Sequence, residues 1–318
     1  VTGIGSALLD FTVDVDDAFL AELKLMKGHM QLVDEATSAK ILDRISHMQM
    51  SVAPGGSSAN TLAGVASLGG KAAFIGRVGN DSNASRYIEY TEKSGVASFI
   101  KKGSGMTGHA ITFITPDSER TFATHLGAAT ALSMDDVDFG VIEQSSILHL
   151  EGYLFEPEQQ REICYKAMKL IKSNGGIVSV DLADPSLIGR IKNVFDDVIE
   201  KYADIVFANE EEVLAYTGRK EADGLDVLAS KTTFAVVKLG AKGSLLKTAG
   251  IMERIDPFSV NVVNTNGAGD MYAAGVLYGL TSGRSAALSG KIASYASSLV
   301  VSSKGARYDG ILDLSDII

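Results

Sequence analysis

The sequence predicts an α/β fold: a mostly parallel central sheet covered by helices on both faces, with a small second sheet set against it. Two observations carry this expectation. From Ile147 onward, short apolar runs alternate with amphipathic helical segments, the rhythm of strands buried on both faces of a parallel sheet. Before Ile147 that rhythm breaks. Ala110–Thr115 and Arg120–His125 flank Pro116-Asp117-Ser118-Glu119, which reads as a β-hairpin with a proline turn.

The elements follow in order. Phe11 to Val15 alternates as a strand close to the N-terminus, and the stretch from Asp16 to Met50 holds two helices. Ile147–Leu150 is a strand, followed by a helix from Pro157 to Asn174 with Ile163, Ala167, Leu170 and Ile171 on one face. Ile177–Val180, Ile205–Ala208 and Phe234–Leu239 are the next strands, each of the first two followed by a helix. The segments near 10–16, 46–54 and 109–125 are expected to form a small antiparallel sheet, and residues 1–318 one domain.

Composition limits the function. Of 318 residues, 46% are hydrophobic and 21% charged, with a net charge of −10, the balance of a globular protein with a large core. A negative chain argues against nucleic acid, whose phosphates need clustered Lys and Arg, and against anionic membranes. Cys164 is the single cysteine, so no intrachain disulfide forms, and a cytoplasmic location is expected. No apolar run approaches the ~18 residues of a membrane helix. Val1 to Asp17 carry four Asp and no Lys or Arg, unlike a signal peptide.

Gly103-Ser104-Gly105-Met106-Thr107-Gly108 fits the dinucleotide pattern G-x-G-x-x-G. The pattern needs a helix next, and the β-branched and aromatic residues from His109 predict a strand instead. This removes the case for a dehydrogenase. There is no Walker P-loop, no zinc spacing and no G-x-S-x-G elbow. The segment Gly267-Ala268-Gly269 stands before a helix that Asp270 opens and that runs through Met271–Leu280. Small residues let backbone amides approach an anion, and the helix dipole adds positive potential. Asp270 there suits proton abstraction from a hydroxyl attacking a phosphate, or serves as a favourable charge in a first helical turn.

Pro54-Gly55-Gly56-Ser57-Ser58-Ala59-Asn60 precedes another helix. It suits close approach of a polar ligand, or a turn with Ser57 or Ser58 as a cap. Asn209 and Glu212 follow a strand, where ligands of open α/β sheets gather. The same spacing is nearly a capping box, and spacing alone does not separate the two readings. Lys238 to Gly243 follows another strand, as a nucleotide-facing or an ordinary hairpin turn. Asp10 ends the first strand, as a ligand for sugar hydroxyls or a solvated strand end. Arg120 starts the returning hairpin strand, as a mobile cation over phosphates or an edge-strand charge.

Together these segments resemble the ribokinase-like (PfkB) carbohydrate kinase family, in the family's order and over nearly the whole chain. The resemblance implies a three-layer α/β/α core with a small β-sheet lid. It implies Asp270 as catalytic base, the amides of Gly267, Ala268 and Gly269 as an anion hole, and Arg120 closing over the phosphates. It places Asn209 with Glu212 around Mg²⁺ and phosphates through water, and Lys238, Gly240, Gly243 and Thr265 along ATP. Asp10, Gly55, Gly56, Ser57 and Asn60 would hold the acceptor's hydroxyls. Gly5–Asp10, Gly56-Ser57, Thr265-Asn266, Arg120 and the helices between Asp16 and Met50 look most like the adenosine kinase branch. On that match Leu32, Phe122, Thr124 and Tyr153 line a nucleoside pocket. Ser6 stands where adenosine kinases carry Asn. Asn264 stands where most members carry Asp beside a monovalent-cation site, which argues against potassium activation.

The implied activity is ATP- and Mg²⁺-dependent phosphorylation of a primary hydroxyl, with adenosine the leading acceptor. The alternatives are a sugar kinase of the ribokinase or fructokinase type, and a binding protein that has lost catalysis, against which the retained Asp270 argues. The expected partner is a small-molecule acceptor, with the protein a monomer or homodimer.

Overall fold

A computed structural model describes residues 1–117 and 119–317. In chain order the strands are β1 (Thr2–Ile4), β2 (Leu9–Asp14), β3 (Met30–Leu32), β4 (Met50–Pro54), β5 (Ala72–Val78), β6 (Val96–Lys102), β7 (His109–Ile114) and β8 (Arg120–His125). They continue with β9 (Ile147–Glu151), β10 (Ile177–Asp181), β11 (Ile205–Asn209), β12 (Phe234–Lys238), β13 (Ser244–Thr248) and β14 (Ile251–Ile255). The helices are α1 (Asp17–Glu22), α2 (Glu35–Ile45), α3 (Ser57–Ser67), α4 (Ser82–Lys93), α5 (Phe139–Glu143), α6 (Glu158–Ser173), α7 (Pro185–Lys201), α8 (Glu210–Thr217), α9 (Glu221–Ala229), α10 (Ala268–Thr281) and α11 (Ala286–Val301).

The large sheet has nine strands in the order β14-β13-β12-β11-β10-β9-β1-β5-β6. It is parallel except for β13 and β14, which return antiparallel beside β12. Two apolar clusters fill its two faces. One joins α3, α10 and α11 through Leu62, Val65, Ala274, Val276 and Ile292. The other joins α6, α7 and α8 through Ile163, Met168, Leu187, Phe195 and Val213. The three-layer expectation holds. The strand order reverses at β1, which lies between β9 and β5, so a crevice opens beyond the strand ends there.

The small sheet runs β3-β8-β7-β2-β4. Its pairing corrects the antiparallel expectation: β7–β8 and β2–β4 are antiparallel, but β2–β7 and β3–β8 are parallel. A hairpin dictates antiparallel pairing only between its own two strands. β2 and β7 are far apart in the chain, and both enter the small sheet from the core at the same end. The turn residue Ser118 lies outside the described residues. β3 lies between α1 and α2, and at three residues it was too short to predict.

Period-two alternation gives the small sheet two unlike faces. Phe11, Val13, Ile111, Phe113 and Ala123 pack with Leu20, Ile41 and Ile45 of α1 and α2. The opposite face carries Asp10, Thr12, Ala110, Thr112, Phe122 and Thr124 in register. The strand after the predicted G-x-G-x-x-G match is β7, so that segment is a turn and not a dinucleotide loop.

Candidate active site

The C-terminal ends of β9, β10, β11 and β12 are Glu151, Asp181, Asn209 and Lys238. Buried strands deliver these polar residues together at one edge of the sheet, where the helices α3 and α10 also begin. These two helices pack closely because small residues meet: a Cβ on Gly64 would stand 2.6 Å from Ala274 Cβ.

Asp270 does not open its helix, as the sequence predicted; the helix begins at Ala268, with Gly267 as N-cap and Asp270 in the first turn. Gly267 has φ +76°, and a Cβ there would lie 2.1 Å from the carbonyl oxygen of Ala306. Only glycine combines that left-handed backbone with that close approach. The Ala268 amide donates to Thr265 O over a long 3.2 Å, so this member of the expected anion hole is weakly engaged within its own turn.

From α3, Ser57 Oγ donates to Asp270 Oδ1 at 2.7 Å and Asn60 Nδ2 donates to Asp270 Oδ2 at 2.9 Å. Three residues apart, the two side chains share one helix face. Neither Ser57 nor Ser58 is the cap; the N-cap is Gly56, with φ +92° and no side-chain cap bond. Burial raises the Asp270 pKa, and the Asn60 and Ser57 donors oppose the rise. A base made more proton-avid, with both oxygens oriented, suits proton abstraction.

Asp10 is corrected too. β1 stops at Ile4, and Asp10 is the second residue of β2 in the small sheet. Just beyond β1 the buried Glu151 carboxylate accepts from the amides of Ser6 and Ser58, at 2.8 and 2.9 Å. Asp10 packs on the Gly55 backbone, where a Cβ would stand 2.6 Å from Oδ2. Burial, then the nearby Asp270, push its pKa up to about 6, against the pull of Arg307.

Asn209 and Glu212 form the capping box: Asn209 Oδ1 accepts from the amides of Glu211 and Glu212, and Glu212 accepts from Asn209 N and Nδ2. Both carboxylate oxygens are thus engaged. Burial and the Asp181 charge push the Glu212 pKa up to about 7. Lys238 Nζ donates to Asp181 Oδ2 at 2.8 Å. Burial opposes its charge, but Asp181 and Glu212 outweigh that and raise its pKa. Neither Asp181, Glu151 nor Arg307 was expected in the site. Only the strand-end position of the two acids could have marked them, and Arg307 lies in coil after α11.

A cleft of about 490 Å³ lies between β12, the segment after β14, and the start of α10. All four residues expected along ATP, Lys238, Gly240, Gly243 and Thr265, line it. Phe258, Val260, Val262 and Val301 form its apolar end, and Gly269 with Lys238 its polar end. A Cβ on Gly269 would stand 3.3 Å from Lys238 Nζ, filling the space over the ammonium. An apolar slot ending in a cation and helix-start amides fits a nucleotide triphosphate. Among the described residues no three His, Cys, Asp or Glu are grouped to hold a metal.

Arg120 pairs with Ile114 of β7 and stands at the start of β8, beyond the Phe122–Thr124 stretch that β3 covers. Its Nη1 donates to Asn264 Oδ1 at 2.8 Å, joining the small sheet to the loop before α10. Leu32, Phe122 and Thr124 share the sheet face of Asp10. Leu32 is 65% exposed and Tyr153 45% exposed, so neither is enclosed.

The profile of the pfkB family carbohydrate kinases matches residues 30–312. The chain belongs to this family. The pfkB kinases are transferases of phosphoryl groups, and family membership carries ATP as the donor. Similar solved structures include the adenosine kinase from Sinorhizobium meliloti, 34% identical with TM-score 0.87 over 96% of this chain and 95% of that one. A probable sugar kinase from Rhizobium etli is 30% identical with TM-score 0.88, over 99% and 96%. The 5-dehydro-2-deoxygluconokinase of Clostridium perfringens is 30% identical over 72% of each chain. Among the described residues no helix of this pfkB kinase is long and apolar enough to cross a membrane.

Replacing Arg120 by Ala is expected to lower kcat/KM about tenfold and leave Tm within ~2 °C, because one half-exposed polar contact contributes little to stability. Steady-state kinetics beside a thermal melt checks this; unchanged kinetics would leave Arg120 as a structural link alone.

Proposed function

We propose that this kinase transfers the γ-phosphoryl group of ATP to the primary hydroxyl of a nucleoside, with adenosine the first acceptor and Asp270 the general base. The single observation that carries the reading is the Asp270 carboxylate, fixed by Ser57 and Asn60 at the start of α10, one residue from the amide of Gly269. The acceptor hydroxyl meets the base on one side, and the helix-start amides with Lys238 draw the phosphoryl oxygens on the other. Such transfer is mostly positioning and charge neutralisation. Asp10 accepts hydrogen bonds from the acceptor's remaining hydroxyls, beside the Gly55 turn. Phe122, Thr124 and Leu32, on the same sheet face, offer a surface for a flat base, and the exposed Tyr153 ring after β9 is a further candidate for it. ATP bound with Mg²⁺ supplies the transferable group and neutralises its charge.

Likeness to sugar kinases supports a second reading, in which a sugar takes the nucleoside's place on Asp10 and Asn60. A panel of adenosine, other nucleosides, ribose and fructose, each with ATP and Mg²⁺, decides between them. Adenosine is expected to have the highest kcat/KM; a sugar at least tenfold ahead of every nucleoside would overturn the nucleoside reading.

Two expectations follow for this site. Asn264 spends Oδ1 on Arg120 and the Asn266 amide and Nδ2 on Lys304 O. Exchanging K⁺ for tetramethylammonium at constant ionic strength should therefore change turnover less than twofold. Asp10→Asn should raise acceptor KM at least tenfold and also raise Tm. The sign follows from the pKa near 6: the folded state holds a carboxylate that burial disfavours. The cost is absent below the ordinary value of 3.8, grows as pH rises and is complete above about 6. The gain, at most ~3 kcal/mol, should be present in melts at pH 8 and shrink toward pH 4.

A further inference from the structure

We propose that Arg307 is a positioning residue for the phosphoryl transfer: its forked guanidinium sets the Asn60 amide that faces Asp270 and ties down the turn on which Asp10 rests. The inference rests on the reading of Asp270 as base. Arg307 Nε donates to Asn60 Oδ1 at 2.8 Å and Nη2 donates to Gly55 O at 3.2 Å. The Asn60 amide is then used at both ends, since its Nδ2 donates to Asp270 Oδ2 at 2.9 Å. An amide has nearly the same shape when flipped. While Asp270 is ionised, its carboxylate itself selects the Nδ2-inward orientation. Once Asp270 has taken the acceptor's proton that selection weakens. Arg307, which has only donors, still requires the amide oxygen on its own side.

The position of Arg307 in the chain extends this control. Lys304 O accepts from Asn264 Nδ2 at 2.9 Å, and Ala306 O lies against Gly267, the N-cap of α10. Residues 304–307 therefore touch the phosphate-side loop through Asn264 and Gly267, and the acceptor-side turn through Gly55 and Asn60. A short coil segment holds the two halves of the reaction in one register. A lysine at 307 keeps a charge but lacks the planar fork that reaches Asn60 and Gly55 together.

The test is steady-state kinetics of Arg307→Lys and Arg307→Met, with ATP, Mg²⁺ and whichever acceptor of the panel is turned over fastest. Each variant is made in the parent and in the Asp270→Asn background. In the parent, both should lower kcat by 10- to 100-fold with ATP KM within threefold. In Asp270→Asn the same changes should cost less than threefold, because the base being oriented is gone. A purely structural role would cost the same factor in both backgrounds, and that result overturns the proposal. So does Arg307→Lys with kcat within threefold of the parent. Should Arg307→Met not fold, Arg307→Lys carries the same comparison. Asp270→Asn alone reports separately on the base: if it keeps its turnover, the base reading fails whatever Arg307 does.

Discussion

Asp270→Asn is expected to lower kcat by roughly 10²–10⁴-fold, the usual worth of a positioned acid–base group, while the protein stays folded. Shape is conserved, and the hydrogen-bond partners can adapt. The new amide oxygen still accepts from Asn60 Nδ2, whose orientation Arg307 maintains. The new amide nitrogen faces Ser57 Oγ, a hydroxyl that can turn from donor to acceptor. Loss of a negative charge in the first turn of α10 costs at most ~1 kcal/mol. Relief of a carboxylate that burial disfavours works the other way. ATP affinity should stay within about threefold, because the amides of residues 267–269 and Lys238 are untouched. Turnover, ATP binding by calorimetry and a thermal melt separate these effects. A folded variant with near-normal kcat on its best acceptor would remove Asp270 from the mechanism.

Gly267→Ala should combine a large loss of stability with a large loss of activity. A left-handed backbone costs a non-glycine residue ~1–2 kcal/mol. The new Cβ would also meet Ala306 O at 2.1 Å and Ala306 C at 2.8 Å, backbone atoms that cannot rotate away. Either the α10 N-terminus or the 305–307 segment must shift. The first misplaces the anion-hole amides; the second withdraws Arg307 from Asn60 and Gly55. The expected cost is ~2–4 kcal/mol of stability and at least ~100-fold in kcat, since sub-ångström placement governs such transfers. Gly250→Ala is the control. Gly250 has φ +79° with nothing within 4 Å of an added Cβ and lies in the β13–β14 turn. It should pay the left-handed cost alone and keep its kcat. Equal effects from the two substitutions would show that strain, not the contact with Ala306, sets the outcome.

The local elements of this protein were legible in its sequence. Alternation of apolar runs and amphipathic helices located β9 to β12, because period and turn chemistry act within a few residues. The start of α10 was legible to within two residues, since Gly267, Ala268 and Gly269 have few other uses together. Asn209 with Glu212 was readable as a capping box or as a site feature, and the structure contains the box at the C-terminal end of β11. Tertiary structure decided what joins distant parts of the chain. The parallel pairing of β2 with β7 depends on where two separate segments leave the core. Asp10 belongs to the small sheet and not to the end of a core strand because it pairs there with Ala53 of β4 and Ala110 of β7, both distant in the chain. Arg307 has no neighbouring motif; its role arises from two hydrogen bonds to residues 247 and 252 positions away. Propensity and periodicity are short-range and are written in the sequence residue by residue. Which side chains face one another across the cleft is set by packing of whole elements, and it becomes visible only when α3, α10 and the small sheet are in place.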